Sequence, residues 1–382
     1  MDVLIFDMDG VLIDVSRSYR KTVQRTIQIY LETCLGFAKN KRSWITNEEI
    51  SLFKSAGGFN NDWDLTSGLL LYLLSISGIS SLRKLKRLSS IQETLSYLNT
   101  ESSRSRPKHA FRAERKHLLS FLERLKRSGG GLRGIRRILG TSWQGWIYSA
   151  GDLEKENLVK RIFQEFYLGK QFAPYYHLRP IFYRGEGLYK QERLLISKNI
   201  LSILRRKVRM GIASGRPRYE AELALKRFHL RPYFDSVVTL DECTEEENRI
   251  FRSTGKRKKC SKPSPYSILR VTEEIGVSNP RSGYVGDVVD DMEAARAAKK
   301  YLEMLVIGFI AGHRHRKAAR ESLLKAGADR VIENPKELVR LVSQTLNKPH
   351  FFNNLWKRGQ PGNSRKTFRR NLKGTNLNLK EI

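Results

Sequence analysis

The sequence predicts an α/β protein: a doubly wound, Rossmann-like parallel sheet carrying an inserted all-helical domain. Three observations predict it. Short apolar runs rich in β-formers recur at 208–213, 237–239, 283–285, 304–309 and 330–332, each followed by a helical pattern. Strand alternating with helix is the signature of a parallel sheet. A similar run, Val3 to Phe6, stands alone near the start. Between it and the others, residues 16–199 show apolar residues at helical spacing and no recurring strand signal. The expected division is therefore a core of 1–15 and 200–345, a helical insert of 16–199, and a basic tail of 346–382 that reads as disordered.

In chain order, Val3, Leu4, Ile5 and Phe6 form an apolar run bounded by polar residues, which reads as a buried parallel strand. Asp7, Asp9 and Gly10 follow at once. Two positions apart on an extended strand, the aspartates share a face. They sit at the carboxyl end, where open α/β sheets bind ligands. Carboxylates that close repel unless a cation or a shared proton separates them. A hard divalent ion, most simply Mg²⁺, is the natural guest. By itself, Asp-x-Asp fits a strand ending in a polar turn equally well.

In the insert, Thr46 with Glu49 has the form of a capping box, Ile50 and Phe53 share a face, and Gly57-Gly58 stops the helix. The following stretch, Phe59-Asn60-Asn61-Asp62-Trp63-Asp64, suits a helix–helix turn or a ligand-facing loop. Residues 83–137 hold sixteen Lys/Arg against four Asp/Glu and read as a partly flexible elaboration with one short amphipathic helix through Leu118, Leu119, Leu122 and Leu125. Phe163, Phe166 and Tyr167 fall at helical spacing and read as core aromatics rather than a base-stacking platform.

Past the insert, 193–206 reads as a long helix. Strand 208–213 ends in Ser214-Gly215-Arg216-Pro217, and a helix follows at 220–228. After strand 237–239, residues 244–262 read as a polar loop with a basic knot, Lys256-Arg257-Lys258-Lys259, leading through Lys262-Pro263 into a helix from Tyr266 to Ile275. Strand 283–285 ends in Gly286-Asp287-Val288-Val289-Asp290-Asp291 ahead of a helix at 292–299. The pattern closes with a helix at 316–326 and another at 335–346.

A net charge of +32 and a pI near 10.2 imply attraction to anionic partners, whether phosphorylated metabolites, nucleic acid or an acidic membrane surface, although a generally basic, solvated surface is the plainer reading. Cys34, Cys243 and Cys260 are widely spaced, which argues against a disulfide framework or a zinc site. The acidic start lacks the basic segment of a secretory signal, and the longest apolar run, 69–79, is too short to span a bilayer. A cytoplasmic location is the expectation. His313-Arg314-His315 offers only two candidate metal ligands in a polar turn at a helix entry and reads as surface rather than as a metal site.

Four chemical groups thus stand near the ends of separate predicted strands: Asp7/Asp9, Ser214, Lys262 and Asp287/Asp291. A carboxylate nucleophile, a hydroxyl donor, a lysine and a second acidic cluster are the parts that move a phosphoryl group. In this order, Asp7-Met8-Asp9-Gly10-Val11, Ser214, Lys262-Pro263 and Gly286-Asp287 with Asp291 resemble the four motifs of the haloacid dehalogenase superfamily. The insert resembles the helical cap of its subfamily IA, phosphoglycolate-phosphatase-like members. Residues 53–66 with Ser214-Gly215-Arg216-Pro217-Arg218 resemble an uncharacterised group of archaea, cyanobacteria and plants.

The resemblance implies a Mg²⁺-dependent phosphatase for a small phosphorylated metabolite. Asp7 would be the nucleophile and Asp9 the acid/base. Ser214 would hold the transferring oxygens and Lys262 would offset charge. The metal would be held by Asp7, the Asp9 carbonyl, Asp287 and Asp291, with Asp291 favoured over Asp290 by spacing. Dehalogenases of the superfamily lack an acid/base aspartate at the place of Asp9, so its presence favours phosphate esters. Substrate contacts are expected from Gly215, Arg216, Asn60, Asn61, Asp62 and Trp63, although Arg216 suits a structural ion pair equally well. The alternatives are a phosphomutase, which shares these motifs, and a nucleic-acid-associated protein or polynucleotide phosphatase using the basic segments.

Overall fold

The computed structural model describes residues 1–59, 61–109, 111, 114–313 and 315–347. Asn60 and the tail from 348 onward lie outside the described residues. The chain divides into two compact units, Met1–Asp14 with the chain from Arg193 onward, and Val15–Glu192.

The first unit is built on six parallel strands: β1 (Val3–Phe6), β2 (Arg209–Ala213), β3 (Ser236–Val238), β4 (Arg281–Gly286), β5 (Glu303–Phe309) and β6 (Arg330–Ile332). Their order is β3-β2-β1-β4-β5-β6. All four residues of β1 are buried, as expected of an unbroken apolar strand between two neighbours. Chain order runs outward from β1 to β2 and β3 on one side, then returns to its other side as β4. That reversal beside β1 is the switch point at which such sheets open a crevice. Phe6 pairs in register with Ile212 of β2 and Val285 of β4. Asp7, one residue on, therefore stands level with Ala213 and Gly286, and the polar residues that end all three strands meet at one rim.

Two expectations in this unit need correction. The long helix expected over 193–206 is a strand residue pair followed by a shorter helix. Arg193–Leu194 pairs antiparallel with Ile13–Asp14, and the helix spans only Lys198–Arg205. This two-stranded ribbon brings the return into the core at Arg193, ahead of the expected 200. The polar loop expected from 244 is largely helix, Leu240–Thr254. Thr239 and Glu242 form a capping box that starts it. Only Cys243 of that helix is buried, so it has almost no apolar stripe for periodicity to detect.

The second unit is helical. Its main helices are Tyr19–Ile29, continuing into a π-helical turn at Tyr30–Cys34, then Asn47–Ser55, Asp62–Ile76, Ile91–Ser103, Arg115–Arg127, Gly131–Leu139 and Leu158–Leu168. The expected capping box of Thr46 and Glu49 is present. Aromatic rings fill the interior: Tyr19 stacks on Tyr167 with centroids 4.5 Å apart, and Tyr72 meets Phe121 at 4.8 Å. The basic stretch 83–137, expected to be partly flexible, contributes three of these helices. Its glycine cluster makes a packing contact: Gly131 N–H donates to the Gly57 carbonyl at 2.9 Å. A Cβ on Gly130 would lie 2.4 Å from that same oxygen, so two turns touch through bare backbone. Among the described residues, no helix is long and apolar enough to cross a membrane.

Candidate active site

The rim of the core sheet gathers Asp7, Asp9, Ser214, Gly215, Arg216, Lys262, Asp287 and Asp291 from three strand ends and one helix approach. After β1 the chain curls tightly: Gly10 N–H donates to the Ile13 carbonyl at 2.8 Å, and Ile13 N–H to Met8 at 2.9 Å. Gly10 has φ +78°, and a Cβ there would lie 2.0 Å from Asp287 Oδ2. Glycine is thus required twice over, by backbone conformation and by the approach of Asp287.

Lys262 Nζ lies 2.7 Å from Asp7 Oδ1 and 2.7 Å from Asp291 Oδ1. Asp291 also accepts from the Tyr284 hydroxyl at 2.9 Å and from the backbone N–H groups of Asp287 and Val288 at 3.1 and 3.3 Å. It is wholly buried and tied down on every side, which suits holding Lys262 and the Asp287 backbone in place. Asp7 and Asp287 are different. Among the described residues, Asp7 accepts one side-chain hydrogen bond, from Lys262, and the Asp287 carboxylate accepts none. Oxygens of Asp7, Asp287 and Asp291 lie within 4.8 Å of one another. Asp291, rather than Asp290, lies in this group.

Asp9 is held from the other side of the rim. Arg216 donates to Asp9 Oδ1 through Nε at 2.6 Å and approaches it through Nη2 at 2.5 Å. Arg216 is 1% exposed, so its charge needs a fixed counter-ion, and Asp9 supplies it. The sequence left Arg216 open between substrate contact and ion pair; in the structure it pairs with the carboxylate expected to move protons. Ser214 Oγ accepts from the Arg216 N–H at 3.1 Å, leaving its own hydrogen to donate. Gly215 lies exposed between them.

Among the described residues, the carboxylates of Asp7, Asp9, Asp287 and Asp291 lie beside Lys262 and Arg216, and the all-oxygen set of Asp7, Asp287 and Asp291 fits a hard ion such as Mg²⁺. Burial pushes the Asp7 carboxyl up to about 8, with Asp291, Asp9 and Asp287 adding to the rise against the pull of Lys262. Burial pulls Lys262 down, but Asp291 and Asp7 outweigh it and hold the ammonium charged well beyond the ordinary lysine range.

The insert residues expected to touch substrate have partners inside the insert. Asp62 and Trp63 begin a helix rather than ride a loop, and Asn61 caps it, accepting from Asp64 N–H at 2.7 Å. Asp62 pairs with Lys54 at 3.2 Å. Trp63 packs edge-on to Phe163, with Lys160 Nζ 4.6 Å from its ring centroid. Asn60 is outside the described residues.

Two rim residues were not placed at the site by the sequence. Tyr284 was legible only as a strand residue, although its position just before Val285-Gly286-Asp287 was a usable signal. His313, expected at the surface, is placed with Nε2 3.4 Å from Asp287 Oδ2. Its sequence neighbours Arg314 and His315 suggested a solvated turn, and only the return of the chain after β5 brings it to the rim.

Comparisons with known proteins bear on this geometry. A solved structural-genomics target shares 18% identity, covers 91% of this chain and all of its own length, and superposes with a TM-score of 0.56, which establishes the fold. A phosphatase from Thermococcus thioreducens shares 20% identity over 80% of this chain and 92% of its own, with a TM-score of 0.49. An imidazoleglycerol-phosphate dehydratase from Phytophthora nicotianae is 23% identical over 300 residues, covering 78% of this chain. The chain spans only 42% of that relative's length. The family described as haloacid dehalogenase-like hydrolase matches residues 1–299. With its four motifs assembled at one sheet rim, the chain belongs to the haloacid dehalogenase-like hydrolases.

Proposed function

We propose that this protein is a divalent-metal-dependent phosphatase acting on a small phosphorylated metabolite through an aspartyl-phosphate on Asp7. The observation that carries the reading is the pair of under-bonded carboxylates, Asp7 and Asp287, beside a charged Lys262 and an Asp9 clamped by Arg216. Asp7 and Asp287 would hold the cation, with the Asp9 carbonyl as a third donor; Asp291 acts behind them through Lys262. The cation would offset the negative charge of the phosphoryl group and of Asp7 as they approach.

In the first step an Asp7 oxygen attacks phosphorus, the bond to the leaving oxygen breaks, and Asp9 gives that oxygen its proton. In the second, water loses a proton to Asp9 and attacks phosphorus, and the Asp7–phosphorus bond breaks. Lys262 and the Ser214 hydroxyl stabilise the charge that builds on the transferring oxygens.

A phosphate-release screen over sugar phosphates, phosphoglycolate, histidinol phosphate, imidazoleglycerol phosphate and nucleotides, with and without Mg²⁺, tests this reading. At least one substrate should be hydrolysed in a manner abolished by chelation, and Asp7→Asn should lower kcat by on the order of 10⁴-fold or more. Undiminished turnover in that variant would remove Asp7 as nucleophile. Isomerisation of a sugar phosphate without net phosphate release would replace the phosphatase with a mutase.

A further inference from the structure

We propose that His313 is a positioning residue for the cation site: its Nε2–H holds Asp287 Oδ2 and turns the other oxygen of Asp287 toward the ion that Asp7 faces. This rests on the reading of Asp7 and Asp287 as cation ligands and adds a residue that no motif of the chain contains.

The loop after β5 places it. His313 N–H donates to the Ile310 carbonyl at 3.0 Å, and Ile310 N–H to Ile332 at 3.0 Å, so the turn is anchored on both sides at the sheet edge. From there the imidazole reaches inward, its side chain 26% exposed. Its Nε2 is shielded from solvent yet has no hydrogen-bond partner among the described residues. The carboxylate beside it at 3.4 Å, that of Asp287, accepts from no other donor among the described residues. A shielded nitrogen and an under-bonded carboxylate left facing each other cost free energy unless they complete one another. The gap slightly exceeds a hydrogen bond, and a small side-chain rotation closes it when a cation draws in the opposite Asp287 oxygen. Carboxylate ligands of metals are commonly oriented by such outer hydrogen bonds, whose loss weakens binding. Direct coordination by His313 is the less favoured geometry: among the described residues, the side chains whose ligand atoms lie close enough together to share one ion are those of Asp7, Asp287 and Asp291, without His313.

The test uses the full chain and Mn²⁺ as a paramagnetic probe, with Mg²⁺ measured by competition. His313→Leu should raise the Mn²⁺ dissociation constant by roughly 10- to 100-fold. His313→Gln, which keeps an N–H donor, should stay several-fold closer to the natural protein. Pulsed electron paramagnetic resonance of the bound Mn²⁺ should show no coupling to a directly ligated ¹⁴N. Unchanged affinity in His313→Leu, equal weakening in both variants, or a strong ¹⁴N coupling each overturns the proposal. If His313→Leu does not fold, His313→Gln set against the shorter His313→Asn decides by the same ranking. Failure of the natural chain to bind Mn²⁺ at all would overturn the cation-site reading and His313 with it, whereas binding that ignores His313 overturns only this inference.

Discussion

Each unit of the chain buries a charged network, and the two are built to opposite rules. In the insert, Arg161 and Glu165 are 3% and 0% exposed and pair at 2.7 Å. Glu165 also accepts from the backbone N–H groups of Ile181, Phe182 and Tyr183. Arg161 donates further to the carbonyls of Leu153 and Arg179 and lies 4.7 Å from the Phe172 ring centroid. One positive charge meets one negative charge, and each is also bonded to backbone groups of other segments. At the core rim, among the described residues, the carboxylates of Asp7, Asp9, Asp287 and Asp291 lie beside Lys262 and Arg216, and Asp7 and Asp287 keep oxygens to spare. A paired, well-bonded network fastens one segment to another. A network with surplus carboxylates and unfilled acceptors is fitted to take up a ligand. Burial alone therefore does not mark a functional charge; incomplete satisfaction does.

Breaking each network at its cation is the strongest way to separate them. Arg161→Met leaves Glu165 buried without its counter-ion and should cost about 3–5 kcal/mol of stability, read by denaturant unfolding, with kcat per folded molecule preserved. Lys262→Met should cost activity by 10² or more, as for loss of one stabilising charge in a reaction site, and its melting temperature should rise on adding Mg²⁺ by linkage. A Lys262 variant that keeps full turnover, or an Arg161 variant that folds normally but loses it, would collapse the distinction.

A finer cut falls within the rim. Tyr284→Phe removes one hydrogen bond to the buried Asp291 side chain and should lower stability by about 1–3 kcal/mol. If Asp291 acts by holding Lys262, kcat should fall alongside while the Mg²⁺ dissociation constant moves little. A large loss of metal affinity instead would make Asp291 a ligand.

The smallest expected effect concerns the thiols, which carry no such surplus. All three cysteines are free and buried. Burial pushes Cys34 far above the ordinary thiol range, Cys243 up to about 12 and Cys260 to about 11. A raised thiol pKa means the neutral form persists as pH rises, and only the thiolate reacts. Alkylation of the native protein at pH 8 should therefore be slow, with the rate climbing only well above pH 9. Rapid labelling at pH 8 would show that one of these sites opens.

Much of this protein was legible in its sequence. The strands of the sheet announced themselves because parallel strands are buried on both faces and read as unbroken apolar runs, with turn residues at their ends. The same rule located Asp7, Ser214 and Asp287, since a residue that follows a buried strand has only the rim to occupy. The helix Leu240–Thr254 was missed because it is polar nearly all round, and the ribbon of Arg193–Leu194 because two residues make no period. Tertiary structure alone decided who pairs with whom: Arg216 with Asp9, Tyr284 and Lys262 with Asp291, His313 beside Asp287. Those partners are separated by up to hundreds of positions and joined only by strand register, and side-chain type along a chain carries no record of which distant charge will lie opposite.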